Sequence, residues 1–254
     1  GILPGLLATA LYCLAVVFVT WRDPKSGPAF DPVPWPQRWR AVLDAWRAYV
    51  VIVVVVVGLY AGVFSVAEAA SMGVLLTLGF FLSRRPAKQW KSDFVEVALE
   101  TAQNTAMIFL MVIGAALFSY FLTLTEAPRA LVKHVQDAQL GPYTVLLILM
   151  GMYLFLGAVF DTIAAMILTT PFVFPLVMGF GFDPIWWGIM MVMVIEIGMI
   201  TPPIGMNVFV MGGIAKHIPL STIFRGIVPF FWADMVRLCL VGAFPVIALY
   251  LLKK

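Results

Sequence analysis

The stretch "IEIGMITPPIGMNVFV", Ile195 to Val210, is apolar over most of a membrane crossing yet carries Glu196, Thr201, Pro202, Pro203 and Asn207. A proline has no N–H and disfavours the α region for the residue before it, so Thr201 and Pro202 are driven towards extended geometry. The helix is therefore expected to break there. Non-helical backbone at membrane depth is tolerated only where protein or a water-filled cavity satisfies its polar groups. A break of this kind opens carbonyls for a purpose that an anchoring helix does not have.

Composition puts that break in a bilayer. The 254 residues are 63% hydrophobic and 11% charged, with a mean hydropathy of +1.02, whereas soluble domains carry about 25% charged residues. Runs of about 20 apolar residues mark α-helical spans, and the polar/apolar alternation of a membrane barrel is missing. The fold class is an all-α polytopic membrane protein. The net charge of +3 sits in short loops, where it informs orientation and points to no nucleic-acid partner. Cys13 and Cys239 lie in apolar runs, and His134 stands in a polar loop without a cluster of Asp, Glu or Cys at ligand spacing. No disulfide framework, transition-metal cluster or organic cofactor is indicated. A membrane enzyme would need a convergent nucleophile, base or metal set, and no such set is visible.

Along the chain, Ile2 to Trp21, Tyr49 to Phe64, Val66 to Leu82 and Ala102 to Leu124 read as spans. The loops Arg22 to Arg47 and Ser83 to Lys91 are rich in Lys and Arg and are expected in the cytoplasm; Thr125 to Gly141 is expected outside. From Tyr143 to Met178 about 36 nearly continuous apolar residues would make a helix of about 54 Å against a hydrocarbon core of about 30 Å. Gly157 and Asp161 mark a turn in its middle. The reading is a re-entrant hairpin with arms Thr144 to Leu156 and Ile163 to Met178, the second shaped by Pro171 and Pro175. Ile185 to Ala215 is the discontinuous helix, closing at Lys216 and His217, expected in the cytoplasm. Ile227 to Leu252 is a last span interrupted by Asp234 and Arg237, which are three apart and expected to pair. Lys253 and Lys254 then fall outside, against the positive-inside trend.

A short connection, "GFGFDP", separates the hairpin from the broken helix, so their breaks can face each other. Unwound carbonyls, hydroxyls and the Asp161 carboxylate make a hard-oxygen site suited to a small cation, sodium first. "GILP" at Gly1 to Pro4 echoes "GIVP" at Gly226 to Pro229, with the following spans running in opposite directions, the pattern of an inverted repeat. Together with a start inside a hydrophobic run, this leads to the expectation that the chain is the C-terminal part of a longer polypeptide.

The order Gly-x-x-x-Asp at Gly157 to Asp161, paired prolines, "GFDP", then "EIG-x-x-TPP-x-G-x-N" from Glu196 to Asn207 closely resembles the large membrane subunit of tripartite ATP-independent periplasmic (TRAP) transporters, in its C-terminal half. "FSVAEAA", Phe64 to Ala70, resembles that family's Thr-Pro-Thr-Glu-Ala-Ala motif, keeping Glu68; where many relatives have Asn two residues before the Glu of "EIG", this chain has Val194. The resemblance implies an elevator-type ion-transporter fold, here the second half of an inverted repeat. Residues 1–101 would hold the end of the first repeat and scaffold spans. Residues 102–254 would form the transport domain, with a hairpin at about 143–178, a broken helix at about 185–215 and a final span at 227–252. It also implies sodium-coupled uptake of an organic acid of C4-dicarboxylate, sialic acid or keto-acid type. The implied partners are a periplasmic substrate-binding protein and a small four-helix membrane subunit in the bacterial inner membrane. Gly157, Asp161, Gly198, Thr201, Pro203 and Gly205 would fall on a sodium site, and Thr162, Thr170 and Asn207 on the substrate pocket. The alternative is a sodium/dicarboxylate carrier that works without a binding protein.

Overall fold

The computed structural model describes all residues except 25, 26, 28–32, 85, 127–129, 131, 132, 136, 216, 217, 253 and 254. Of the charges that orient the chain, Lys25, Arg85, Lys216, His217, Lys253 and Lys254 lie outside the described residues. Those described form helices and connections. Among the described residues six helices are long and apolar enough to cross a membrane, or seven if the bent pair Trp35–Asp44 and Trp46–Tyr60 counts as one span. The protein is thus a multi-pass helical membrane protein. Helical contacts divide it into two compact units, residues 1–28 with 108–254, and residues 29–107.

In the smaller unit, α2 (Trp35–Asp44) bends by 53° into α3 (Trp46–Tyr60), and α4 (Val66–Arg84) returns beside α3. The Pro-rich loop after the first span therefore contains a helix that hydropathy does not reveal. Gly62 (φ 70°) makes the α3–α4 turn, where Val63 and Phe64 N–H groups bond the Gly58 carbonyl at 3.0 and 3.1 Å. The start of α4 is a reciprocal cap: Glu68 accepts from the Ser65 N–H and hydroxyl, both at 2.8 Å, and Ser65 Oγ accepts from the Glu68 N–H at 3.4 Å. Glu68 of the "FSVAEAA" motif is a capping residue here.

The long helix α5 (Ala87–Leu124) is 38 residues, about 57 Å. It begins 15 residues before the span read from hydropathy at Ala102, because hydropathy locates the lipid but not the helix end. "AKQWKSDFVEVALET" has strong helix formers at eight of its 15 positions and neither Gly nor Pro.

In the larger unit, α1 (Ile2–Arg22) packs against α10 (Leu220–Ala243). α6 (Pro142–Val159) and α7 (Thr162–Gly179) are joined by the two residues Phe160 and Asp161. α8 (Pro184–Met199) and α9 (Met206–Ile214) flank the break at the paired prolines, and α11 (Val246–Leu249) leads into a 3₁₀ turn, Tyr250–Leu252. Asp161 and Asp183 cap α7 and α8 by accepting two N–H groups each. The core lies between α6, α7, α8 and α10. Trp186 and Trp187 are buried side by side, and Trp186 Nε1–H donates to the Val241 carbonyl at 2.9 Å.

Boundaries in the larger unit differ from the sequence reading as well. The arms around Asp161 are 18 residues each, not about 13 and 16, because Pro142 starts α6 early and Asp161 caps α7 at its first residue. α7 also runs through Pro171 and Pro175 unbroken. The last span begins at Leu220, behind Pro219, instead of Ile227. It passes Asp234 and Arg237 without interruption and stops before Pro245. The expected pair exists, Arg237 to Asp234 at 2.9 Å. Paired charges one turn apart leave the backbone helical, whereas a proline removes a donor.

Candidate functional site

Two chain breaks meet in the larger unit. α6 crosses α8 at two glycines, both buried. A methyl group on Gly157 would strike the backbone of Ile195, 2.9 Å from its Cα, and one on Gly198 would lie 2.6 Å from the Leu154 carbonyl oxygen and 2.7 Å from Gly157 Cα. No other residue permits that approach; small residues at crossings are how membrane helices bring backbones together. The approach carries the end of α6 to the end of α8, just where both helices stop.

Beyond the crossing, hydrogen bonds tie the breaks to each other. The Gly205 N–H donates to the Ala158 carbonyl at 3.3 Å, and the Thr162 hydroxyl donates to the Met199 sulfur at 2.8 Å. Gly205 has φ 63°, the left-handed region, and begins α9; glycine reaches that region without cost. Thr201 is turned back on α8, its hydroxyl donating to the Ile197 carbonyl at 2.6 Å and its N–H to Gly198 O at 2.8 Å. In a continuous helix Pro202 and Pro203 would have supplied donors to Gly198 and Met199. Thr201 takes over the first; Pro203 leaves the Met199 carbonyl without its helical donor.

The hairpin is held shut below its tip. Tyr153 and Thr169, each eight residues from Asp161, meet hydroxyl to hydroxyl at 2.7 Å, and Thr169 passes its own proton to the Ala165 carbonyl at 2.7 Å. That symmetry about Asp161 shows α6 and α7 folding back on each other. Equal spacing from the turn is the signal that could have paired the two hydroxyls in the sequence. Val194, at the departure from the motif, is buried in the α8 core.

The structure thus brings together Gly157, Gly198, Thr201, Gly205 and Thr162, with Asp161 at the turn among them and its carboxylate engaged as the α7 cap. Pro203 stands in the break and is exposed. Asn207 is the second residue of α9 and exposed; Thr170 is exposed, its hydroxyl on the Met166 carbonyl at 2.6 Å. These two stand apart from the bonded group. Ala158 and Met199, which join the two breaks, escape sequence reasoning; an alanine carbonyl and a methionine sulfur carry no signal in a sequence this apolar. A cavity of about 240 Å³ lies against the hairpin between α5 and α7, with Met111, Ala115, Phe160, Ala164 and Leu168 in its wall. Its one hydroxyl, Thr169, is already bonded, so it does not suit an acid.

Away from the breaks, the buried Asp234 and Arg237 of α10 are joined by Tyr12 of α1, whose hydroxyl donates to Asp234 Oδ2 at 2.6 Å. Tyr12 also stands edge-on to Phe230, centroids 5.6 Å apart. Among the described residues no group of His, Cys, Asp and Glu gathers in the manner of a metal cluster.

Residues 1–247 match the model of the family described as "Tripartite ATP-independent periplasmic transporter, DctM component". The chain is 32% identical over 254 residues to the C4-dicarboxylate TRAP transporter large permease protein DctM of Rhodobacter capsulatus, covering 99% of this chain and 56% of that protein. It is 29% identical over 256 residues to the sialic acid TRAP transporter large permease protein SiaM of Vibrio cholerae, covering 99% and 58%. It is 31% identical over 253 residues to the ectoine TRAP transporter large permease protein TeaC of Halomonas elongata, again 99% and 58%. The chain spans somewhat over half the length of these relatives, which are named as transporter permeases and not as enzymes. With its motifs, its helical architecture and the match over nearly its full length in agreement, the chain belongs to the DctM-component family of tripartite ATP-independent periplasmic transporters.

Proposed function

We propose that this chain forms the second-repeat half of a sodium-driven permease in the bacterial inner membrane. The permease takes up an organic acid handed over by a periplasmic binding protein and works beside a small four-helix membrane subunit. The observation that carries the reading is the join between the two breaks, Gly205 N–H on the Ala158 carbonyl above the Gly157–Gly198 crossing. It makes one unit of the hairpin tip and the discontinuous helix, in a chain whose family membership is established. On this reading the tip is re-entrant, and residues 102–254 move against a scaffold that includes spans within 1–101.

The residues at the breaks fit sodium. A hard cation takes oxygen ligands, and here carbonyls near Gly157, Gly198, Met199 and Thr201, the Thr201 hydroxyl and the Asp161 carboxylate belong to the same two chain ends. When bound, sodium supplies the positive charge that draws these oxygens together. Asp161 holds the α7 N-terminus in place, and Pro203 keeps the Met199 carbonyl from being reclaimed by the helix. Gly205 lets the chain restart as α9.

The helix ends support a carboxylate substrate. α7 and α9 both begin at the breaks, and N-termini present N–H groups and positive dipole ends to an anion. Thr162 is the first residue of α7 and Asn207 the second of α9, which favours them over Thr170 as contacts for a carboxylate. Dicarboxylates, sialic acid and ectoine, named for the relatives, all carry that group. The test is uptake by the complete transporter in proteoliposomes, with binding protein and substrate supplied, across a sodium series. Asp161→Asn and Thr201→Val are each expected to raise the sodium concentration needed. Unchanged sodium dependence in both overturns the assignment, and uptake that needs no binding protein favours the simpler sodium/dicarboxylate carrier.

A further inference from the structure

α2 is set apart from the rest of the smaller unit. Trp35, Trp39, Val42 and Leu43 recur at helical spacing, so that at about 100° per residue they fall within an arc of about 100°. Trp46 continues the stripe at the head of α3. Arg38 and Arg40 flank it, one on each border, and Arg47 follows. Between Trp35 and Arg47 three arginines face one carboxylate, Asp44. No other described segment of the chain covers the stripe: every residue from Trp35 to Asp44 is exposed, Trp35 by 69% and Leu43 by 65%.

A helix of 10 residues is about 15 Å long, half of what a crossing needs. It leaves α3 at a bend of 53°, so it runs off at an angle where a hydrophobic span ends. Tryptophan favours the headgroup level of a bilayer, and short helices with an apolar face and arginine borders lie in that plane. Arg38 is already arranged for this: its guanidinium stands 5.1 Å from the Trp35 ring centroid, and its Nε–H donates to the Val33 carbonyl at 2.8 Å. Charge is what selects among possible occupants. A neighbouring protein helix would be served by the tryptophans alone, whereas flanking arginines beside a membrane span match phosphate groups at the same depth.

We propose that α2 is an interfacial anchor, its tryptophan face at the headgroup level and Arg38 and Arg40 on the phosphates of anionic phospholipids. The anchor sets the depth and tilt of α3 and α4, to which it is joined.

The experiment uses the complete transporter with Cys13→Ser and Cys239→Ser, carrying a single spin label on Leu43→Cys or on Gln37→Cys at the opposite face. It is placed in vesicles of phosphatidylcholine with or without phosphatidylglycerol. The label at 43 is expected to be relaxed by oxygen and shielded from a water-soluble nickel chelate, and the label at 37 the reverse. Phosphatidylglycerol should deepen the label at 43. Arg38→Gln and Arg40→Gln should each shift the balance towards the lifted helix about fivefold, with phosphatidylglycerol present only. A label at 43 shielded from both reagents means that protein covers the stripe, and one open to nickel means that the helix lies in water. Either result overturns the proposal, as does immersion that is the same in both lipids and in both arginine variants.

Discussion

Asp161 caps a helix and is also the carboxylate of the proposed sodium site, and two substitutions separate the two roles. It caps α7 through the N–H groups of Ile163 and Ala164 at 2.9 and 3.4 Å, and asparagine caps a helix as well as aspartate does. Asp161→Asn should therefore leave thermal stability within a few tenths of a kcal/mol while raising the sodium concentration needed for uptake. Asp161→Ala should lose about 1 kcal/mol of stability besides, and thermal unfolding in detergent measures the difference. Gly198→Ala has no charge to change. Its methyl group must push α6 and α8 apart, at a cost of about 1 to 3 kcal/mol, and uptake should fall at every sodium concentration. Tyr12→Phe deletes the hydrogen bond to Asp234 and keeps the ring against Phe230. Bonds of this kind in membranes average about 0.6 kcal/mol, so a small loss of stability is expected. In a cycle with Asp234→Leu, which removes the acceptor, that coupling should appear as non-additivity.

At the level of elements, the break between α8 and α9 depends on two residue types acting together. Pro203→Ala restores an N–H that can take back the Met199 carbonyl, with Pro202 still in place. The sodium concentration needed for uptake should rise although no charge has changed, with expression and membrane insertion near normal. Gly205→Ala is a different lesion. At φ 63° an alanine costs about 1 to 2 kcal/mol, and its methyl group would come 3.2 Å from the Phe224 ring. It should therefore loosen the Gly205–Ala158 bond and lower stability as well. Both breaks could be read from the sequence because prolines, glycines and a lone carboxylate each oppose a continuous helix through lipid. The lengths of the helices beside them could not. α5 starts at Ala87 and α10 at Leu220 because helix ends follow caps and propensity, while the hydropathy signal follows the lipid.

For the whole molecule, orientation rests on the basic loops, with several of their charges outside the described residues. Single cysteines at Ser83 and Gln139, in a background free of Cys13 and Cys239, should label differently with an impermeant reagent added to intact cells. Gln139 is expected to react from outside and Ser83 only after the membrane is opened; the opposite result inverts the topology. Sequence alone determined the solvent, the helical class and the places where helices must fail. These follow from the free energy of apolar side chains in lipid and from the missing N–H of proline, both properties of a residue and its immediate neighbours. The resemblance in motif order likewise needed no coordinates. Tertiary structure decided which carbonyl meets which amide: that Gly157 faces Gly198, that Ala158 receives Gly205, that Met199 receives Thr162 and that Tyr12 reaches Asp234 across 222 residues. Along α6, α7 and α8 hydropathy is nearly the same on every face, so pairing is set by backbone approach and by rare polar partners. Neither exists until the helices are packed.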